Sequence, residues 1–492
     1  MKILLIDPPF YRLFGFYNRY FPIGVTTVGA ALKTASYTVL VYDADCNDNP
    51  TDMDYTRLPE KYNQYLNSFK DENNPIWIEV KKTIKDFNPD IVGISIWTTF
   101  AASAFHIARL SKEIKPACSV IVGGPHATKA EEILKLSPYV DYVVKGEGEI
   151  TIRELVQSLE GGKNKLSAIA GLSYREDNEI RHNQNREKAK DLDKFPFPDR
   201  TLLMNETKYT SEDMGLIMTS RGCPYGCTYC STDTRRVSYR SIDNVLKEIR
   251  LVKERYGTTQ FSFKDDSFTV NRKRVEELCD RLIKEKFNIN WECNTRVNLV
   301  TEDLLLKMKK AGCNSIKVGI ESGSERVLRA MNKGITHDHV KNAANLFRKV
   351  GIHWTGYFMM GVPGETVEDV YKTLDFMYEI KPDFASIGVY EPFPGTPMFA
   401  EGIKRGLVRS EMSMEDFFNT LPNHYYKLNF NQQVDTIDEE EFVLLEKKIK
   451  KAFHEYNKNY KQLFKRLRSR VHLYSKEPYI FINDFRKFLM WK

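Results

Sequence analysis

Short runs of Val, Ile and Leu alternate with amphipathic stretches along most of the chain. In the first third, "KILLID", "YTVLVYD", "DIVGISIW", "CSVIVGG" and "VDYVVKG" are almost continuously apolar, and most end in Gly or Asp. Between them "GVTTVGAALKTA", "FHIARLSKEIK" and "EITIRELVQSLE" repeat apolar positions every three or four residues, the period of a helix. Apolar strands separated by helices indicate a parallel sheet covered on both faces. Residues 1–150 are therefore expected to form a doubly wound α/β domain, followed over 151–198 by a polar connector ending in the proline-broken "LDKFPFPDR". A second series follows, with "GLIMTS", "QFSFKDD", "INWECNTR", "SIKVGIESG", "IHWTGYFMMGVPG" and "FASIGVYEPFPG" as strands and helical stretches between them. Over 199–400 this predicts a partial or full barrel of six strand–helix units, with its chemistry at the carboxyl ends of the strands. Residues 401–492 are expected to be mostly helical. Their main helix is expected to open with a capping box from Thr436 to Glu439, and Phe442, Leu445, Ile449, Phe453, Tyr456, Tyr460, Leu463 and Leu467 mark its packed face, opposite a basic one.

Composition narrows the class without changing this picture. At 42% hydrophobic and 28% charged residues, with no low-complexity tract, the chain is that of a soluble globular protein. A formal charge of +7 is small for 492 residues; it admits an anionic ligand or membrane headgroups and does not argue for nucleic acid. The first apolar run, "ILLI", is cut short by Asp7 and two prolines, and the longest uncharged stretch, "IVGISIWTTFAASAF", is too short to span a bilayer, so a cytoplasmic location is expected. Cys46, Cys118, Cys279, Cys293 and Cys313 are scattered without a disulfide rhythm and read as small core residues in a reducing compartment.

In a doubly wound sheet ligands sit beyond the strand ends. Here those ends carry Asp7-Pro8-Pro9, Asp43, Ser95 to Thr98, Gly123-Gly124-Pro125-His126 and Gly146-Glu147-Gly148-Glu149. Neither G-x-G-x-x-G after the first strand nor a phosphate-binding G-x-x-x-x-G-K-[ST] loop occurs, so nucleotide binding of those two kinds is unsupported. Glycines there leave backbone amides open to a large planar or phosphate-bearing molecule; equally, Gly-Gly-Pro-His makes a tight turn. The remaining three cysteines crowd into "SRGCPYGCTYCS", as Cys223, Cys227 and Cys230. Structural zinc wants a fourth ligand, and no second Cys or His pair stands at finger spacing. A redox dithiol would leave Cys223 surplus. Thiolates at C-x-x-x-C-x-x-C on one loop suit three irons of a cubic cluster, leaving a fourth iron open for chemistry.

On the first barrel strand, that motif resembles the radical S-adenosylmethionine (radical SAM) enzymes, specifically the branch with an amino-terminal cobalamin-binding domain. The resemblance covers the chain to about residue 400 and implies a Rossmann-like cobalamin-binding domain, a partial (β/α)6 TIM-like barrel and a [4Fe-4S] cluster whose open iron holds S-adenosylmethionine for reductive cleavage. Tyr229 would lie against the adenine. "FKDDSF" resembles the segment whose Asp265 and Asp266 meet the amino group, and Arg296 of "NTRVN" would hold the carboxylate. "VGIESGSERVL" offers Glu321, Ser322 and Arg326 to the ribose and carboxylate; "MMGVPGET", with Gly361, and "YEPFPGTPM" resemble the fifth- and sixth-strand motifs. "VGGPHAT" looks like the cobalamin domains of this branch, with Trp97, Thr98, Gly123, Gly124 and His126 as contact candidates. The D-x-H-x-x-G segment that supplies a lower histidine ligand in many cobalamin proteins is missing, "DADCND" standing where it would be sought. Taken alone, His126 is a turn residue, His106 reads as core, and His353 faces either the lumen or the outer helices.

The resemblance implies methylation of an unactivated carbon in a small-molecule, lipid or natural-product substrate, with an electron donor such as flavodoxin or ferredoxin. Oxidative cyclisation or ring rearrangement uses the same parts. Methylthiolation of tRNA needs three further amino-terminal cysteines, and only Cys46 and Cys118 precede the motif. A non-catalytic cobalamin-binding sensor is the reading from another class, against which the three motif cysteines and Glu321 stand. Aromatic residues, 12% of the chain, and the tail "YIFINDFRKFLMW" suit a lipid, a macrocycle or a peptide, and the basic tail helix leaves contact with a membrane surface open.

Overall fold

The computed structural model describes residues 1–16, 20–33, 37–47, 61–161, 166–232, 235–428, 434–458, 471–474 and 481–482. Its first sheet contains β1 (Lys2–Asp7), β2 (Thr38–Asp43), β3 (Ile91–Ser95), β4 (Ser119–Gly123), β5 (Tyr142–Val144), β6 (Leu172–Glu176) and β7 (Glu179–His182), in the order β2-β1-β3-β4-β5-β6-β7. The first five are parallel, and the chain reverses its direction of travel across the sheet between β1 and β3, which makes their carboxyl ends the natural crevice. Alternate residues face opposite layers. Ile3 and Leu5 pack with α1 (Ile23–Lys33) and α6 (Gly148–Glu160), while Leu4 and Ile6 pack with α2 (Tyr62–Lys70), α3 (Pro75–Phe87), α4 (Ala101–Ile114) and α5 (Ala130–Leu136). The stretch read as a connector, 151–198, instead completes α6 and adds the antiparallel hairpin β6–β7 to the sheet. β7 is an outer strand with three of its four residues exposed, so its sequence shows no hydrophobic signal.

Six parallel strands form the second sheet: β8 (Leu216–Ile217), β11 (Gln260–Phe263), β12 (Asn290–Thr295), β13 (Cys313–Glu321), β14 (His353–Met360) and β15 (Phe384–Val389). A two-stranded ribbon, β9 (Ser220–Arg221) with β10 (Ser238–Tyr239), leaves the end of β8. Helices α7 (Ile242–Tyr256), α8 (Arg272–Lys284), α9 (Glu302–Lys310), α10 (Glu325–Ala330), α11 (His337–Val350) and α12 (Val367–Ile380) connect the strands. Phe261, Phe263, Trp291, Ile316, Val318 and Trp354 are buried in one core with these helices, while Ser262, Lys264, Glu292, Lys317 and Tyr357 alternate with them on the inner face, giving the barrel a polar lumen.

Both edges of this open sheet are capped by side chains. Beside β8 the carbonyls of Met214, Leu216 and Met218 accept from Arg200 Nε (3.0 Å), Arg200 Nη2 (2.8 Å) and Arg240 Nη1 (2.9 Å). Fully buried Glu248 on α7 neutralises both guanidiniums. Beside β15, the Asn457 carboxamide donates to the Ala385 carbonyl (2.6 Å) and accepts from its N–H (3.0 Å). Asn457 ends α15 (Glu439–Asn457), preceded by α13 (Pro397–Lys404) and α14 (Met414–Asn419). The expected capping box at Thr436 does not form: Asp438 is the cap, accepting from Glu441 N, and Thr436 Oγ1 donates to the Glu365 carbonyl instead. Phe442, Leu445, Ile449 and Phe453 are buried and Tyr456 packs beside them; Tyr460, Leu463, Leu467 and most of the aromatic tail lie outside the described residues. Residues 399–426 cross to the first domain, where Phe399, Leu407, Phe417 and Tyr426 join the layer of α2–α5.

The five remaining cysteines are buried, and among the described residues none of them forms a disulfide. Three of them are not scattered in space: burial and mutual proximity raise the thiols of Cys279 and Cys313, with Cys293 between them. His106 is a core residue, stacked on Trp77 at 4.3 Å, and His353 lies half-buried 3.7 Å from Asp383. Among the described residues no helix is long and apolar enough to cross a membrane.

Candidate functional site

The cysteine loop leaves β9 and is held from two sides, by the segment after α10 and by α13. Thr228 N–H donates to the Met331 carbonyl (2.9 Å) beyond α10, Met398 N–H donates to the Thr228 carbonyl (2.9 Å) from α13, and Asn332 Nδ2 donates to the Gly226 carbonyl (2.8 Å). Cys223 and Cys227 are half-buried, Cys230 is exposed, and all three thiols are free. Each has a nitrogen donor: Tyr225 N–H for Cys223, Arg296 Nη1 at 3.6 Å for Cys227, and Thr232 N–H at 3.5 Å for Cys230. Burial raises the Cys223 thiol, opposed by the Tyr225 N–H, and the charge of Asp266 raises it further. Among the described residues no three His, Cys, Asp or Glu side chains gather closely enough for a single metal ion. Thiolates bound to three different irons need not. Three thiols on one loop, each with an N–H donor, suit a cubic cluster, whose sulfurs accept such bonds.

Arg296 is buried in this loop, its guanidinium 3.8 Å over the Tyr225 ring and bonded to the Lys333 carbonyl. Its Nε has no partner among the described residues, so a donor remains for a carboxylate. Asp265 is turned elsewhere. Its buried carboxylate accepts from Thr219 N (2.6 Å), Thr219 Oγ1 (2.5 Å) and Ser220 N (3.0 Å), which corrects the expectation that it meets an amino group: it braces the strand that feeds the cysteines. Asp266 is exposed, touches Gly222 N–H, and has a raised pKa through desolvation and the neighbouring Asp265.

Glu321 ends β13 in left-handed backbone, φ +69°, at a register shift. Its Oε1 accepts from Lys333 Nζ (2.6 Å) and Tyr229 Oη (2.9 Å). Gly319 makes room for this pair, since a Cβ there would stand 2.3 Å from Glu321 Oε1 and 2.9 Å from Lys333 Nζ. Tyr229 in turn borders an apolar wall of Val327, Met331, Val362, Tyr390 and Met398, a surface fit for a flat ring. Ser322 and Arg326, paired with Glu321 on paper, point away. Ser322 Oγ meets Thr373 Oγ1 (3.1 Å) on α12, and Arg326 ties Asp369 on α12 to the Gly364 carbonyl in the loop before it. Gly361 N–H donates to Glu365 Oε2 (2.5 Å) in that loop.

At the first sheet's crevice Trp97 is half exposed and Thr98 Oγ1 lies 3.1 Å from His126 Nδ1. His126 faces inward against Phe417 and Tyr426, and burial lowers its pKa to about 3, so it is a neutral core group rather than a surface contact. Gly124 is required by close packing: φ is +129°, and a Cβ would stand 2.7 Å from the Ile96 carbonyl oxygen. Gly123 ends β4 beside it. Asp43 and Asp45 are consumed locally, Asp43 by Asp45 N, Cys46 N and Tyr209 Oη, Asp45 by Phe10 N and Arg12 N, so neither is aimed at the crevice. The open indole and the glycine backbone suit a large planar macrocycle.

Two residues escaped sequence reasoning. Lys333 follows α10 and gives no local signal. Arg221 stands two places before Cys223 and binds Glu149 Oε1 (2.5 Å) and Glu147 Oε1 (3.4 Å). These carboxylates follow β5, so the crevice of one domain is fastened directly to the cysteine loop of the other.

Comparison with known proteins matches residues 217–377 to the family model "Radical SAM superfamily" and residues 14–156 to "B12 binding domain". An uncharacterized methyltransferase of Pyrococcus horikoshii is 36% identical over 335 residues, covering 67% of this chain and 73% of the relative. The anaerobic magnesium-protoporphyrin IX monomethyl ester cyclase of Rubrivivax gelatinosus is 28% identical over 418 residues, 82% of this chain and 70% of the relative. Among solved structures, the cobalamin-dependent S-adenosylmethionine radical enzyme OxsB superposes with a TM-score of 0.67 at 19% identity, over 98% of this chain and 72% of that one. The radical S-adenosylmethionine methyltransferase TsrM of Kitasatospora setae gives 0.65 at 18% identity, over 89% and 84%.

Proposed function

The chain belongs to the radical SAM superfamily and carries a B12-binding domain, and from that premise we propose that it transfers a methyl group from S-adenosylmethionine to an unactivated carbon of a small-molecule or lipid substrate. Its cofactors are a [4Fe-4S] cluster, S-adenosylmethionine and cobalamin, and it requires an electron donor. When bound, they supply a carbon radical and a carrier for the methyl group. The observation that carries the reading is the Arg221 tie to Glu147 and Glu149, which brings the B12-binding crevice and the cysteine loop to one cleft.

In this reading Cys223, Cys227 and Cys230 hold the cluster. Arg296 offers its free Nε–H to the amino acid carboxylate, and Asp266 accepts from the amino group. Glu321, held in place by Lys333, accepts from the ribose hydroxyls, because a carboxylate has lone pairs to spare after two bonds. Tyr229 and the apolar wall cover the adenine beside Gly361. Trp97, Thr98, Gly123 and Gly124 line the cobalamin side, and the two domains together exclude water from the reacting carbon.

The test is anaerobic reconstitution with iron, sulfide and cobalamin, followed by reduction with S-adenosylmethionine present. Release of both 5'-deoxyadenosine and S-adenosylhomocysteine is the expected outcome. Release of 5'-deoxyadenosine alone supports cyclisation without methyl transfer, the activity named for the Rubrivivax relative. Absence of both products overturns the assignment.

A further inference from the structure

The lumen of the barrel carries a cation that the reading above does not use. Lys264 follows β11 on the inner-face parity of Gln260 and Ser262, and its backbone N–H still pairs with the Ile217 carbonyl. Among the described residues its ammonium has no hydrogen-bond or ion-pair partner; it stands 4.9 Å over the ring of Tyr20, which comes from the first domain between β1 and α1. On the next strands Glu292 and Lys317 share this face, joined at 2.5 Å, with Ser262 Oγ on the same Glu292 oxygen at 2.8 Å. The local count is two cations to one carboxylate. Burial, aided by repulsion from Lys317, lowers the Lys264 pKa to about 8, with Glu292 opposing. Tyr357 adds a further sign of open space. It sits on β14, with a paired strand on each side, yet is 40% exposed, so this face of the sheet borders solvent-accessible space and not a packed core.

The direction of the lumen links it to the chemistry. Two positions beyond Lys317 on β13 is Gly319, whose missing side chain touches the Glu321–Lys333 pair. Lys264 immediately precedes Asp265, which braces the strand entering the cysteine loop. A substrate group held on Lys264 would therefore sit below the cleft, with the rest of the molecule directed toward the cysteines.

We propose that the substrate is an organic anion whose carboxylate or phosphoryl group is bound by Lys264, with Lys317 as the second cation. The proposal rests on the functional reading above only for calling the ligand a substrate. A half-buried ammonium without a counter-ion is costly to keep charged, and an oxyanion relieves that cost.

Competitive acetylation of the reconstituted full-length protein with acetic anhydride, read by peptide mass spectrometry, tests it. The probes are succinate, inorganic phosphate and neutral succinamide, with exposed Lys404 as the internal reference. An anion at about ten times its dissociation constant should slow acetylation of Lys264 about tenfold and leave Lys404 unchanged, while succinamide does nothing. Protection by succinate alone assigns a carboxylate, by phosphate alone a phosphoryl group, and by both an oxyanion of either kind. Glu292→Gln should bring protection at lower anion concentration. A Lys264 that never reacts, that no anion protects, or that is protected no more than Lys404 overturns the proposal, as does a Glu292→Gln protein with unchanged or weaker protection. Acetylation involves no radical step, so 5'-deoxyadenosine release from the same preparation reports separately on the function.

Discussion

Lys333 and Glu321 show how much a single contact decides at this site. The pair spans twelve positions, is almost fully buried, and is completed by Tyr229 from the cysteine loop. Removing one member of a buried pair leaves the other charge without compensation, which costs more than the pair itself contributes. Lys333→Met is therefore expected to lower stability by about 3 kcal/mol in urea denaturation and to weaken S-adenosylmethionine binding in equilibrium dialysis, because the freed carboxylate loses its fixed orientation. Full stability with full affinity would show that Glu321 needs no partner. At the same scale the structure redirects residues adjacent in sequence: Glu321 faces the cleft while Ser322 faces α12, because strand geometry and the bulge set alternate side chains on opposite sides.

The loop between β14 and α12 depends on an acid held in its protonated range. Glu365 is buried, accepts from Gly361 N–H (2.5 Å) and Val362 N–H (3.4 Å), and has its other oxygen unpartnered among the described residues. Burial raises its pKa from 4.5 to about 8, against the two amide donors. Between those values the folded state holds a proton that the unfolded chain has released, so the stability contributed is full below pH 4.5 and is lost as pH rises through about 8. Thermal or urea unfolding should show a loss approaching about 1.4 kcal/mol per pH unit in that window, and Glu365→Gln should flatten it. An unchanged slope in the variant would place the titration elsewhere. The six barrel strands were legible as elements because each carries buried apolar residues between turn signals. β6 and β7 were not, since β7 is exposed and its pairing with β6 supplies what its side chains do not.

Across the whole molecule, Arg221 and residues 399–426 join the two α/β units. Cutting the first tie tests whether the shared cleft is what couples the cofactors. Arg221→Met should raise the ratio of 5'-deoxyadenosine to methylated product about tenfold, equivalent to about 1.4 kcal/mol of lost coupling, with cluster iron content unchanged. An unaltered ratio would show that the domains hold their geometry without it. Much of this plan is local and therefore written in the chain. The C-x-x-x-C-x-x-C spacing, the two alternating series and the strand-end glycines were readable because strand period, turn chemistry and ligand spacing act over a few residues. What the sequence left open was settled by contacts between distant segments. Only the fold turns Asp265 toward Thr219, buries His126, seats Lys333 on Glu321, brings Tyr20 over Lys264 and joins Arg221 to the first domain, because direction and partner at each position follow from packing, for which linear spacing carries no code.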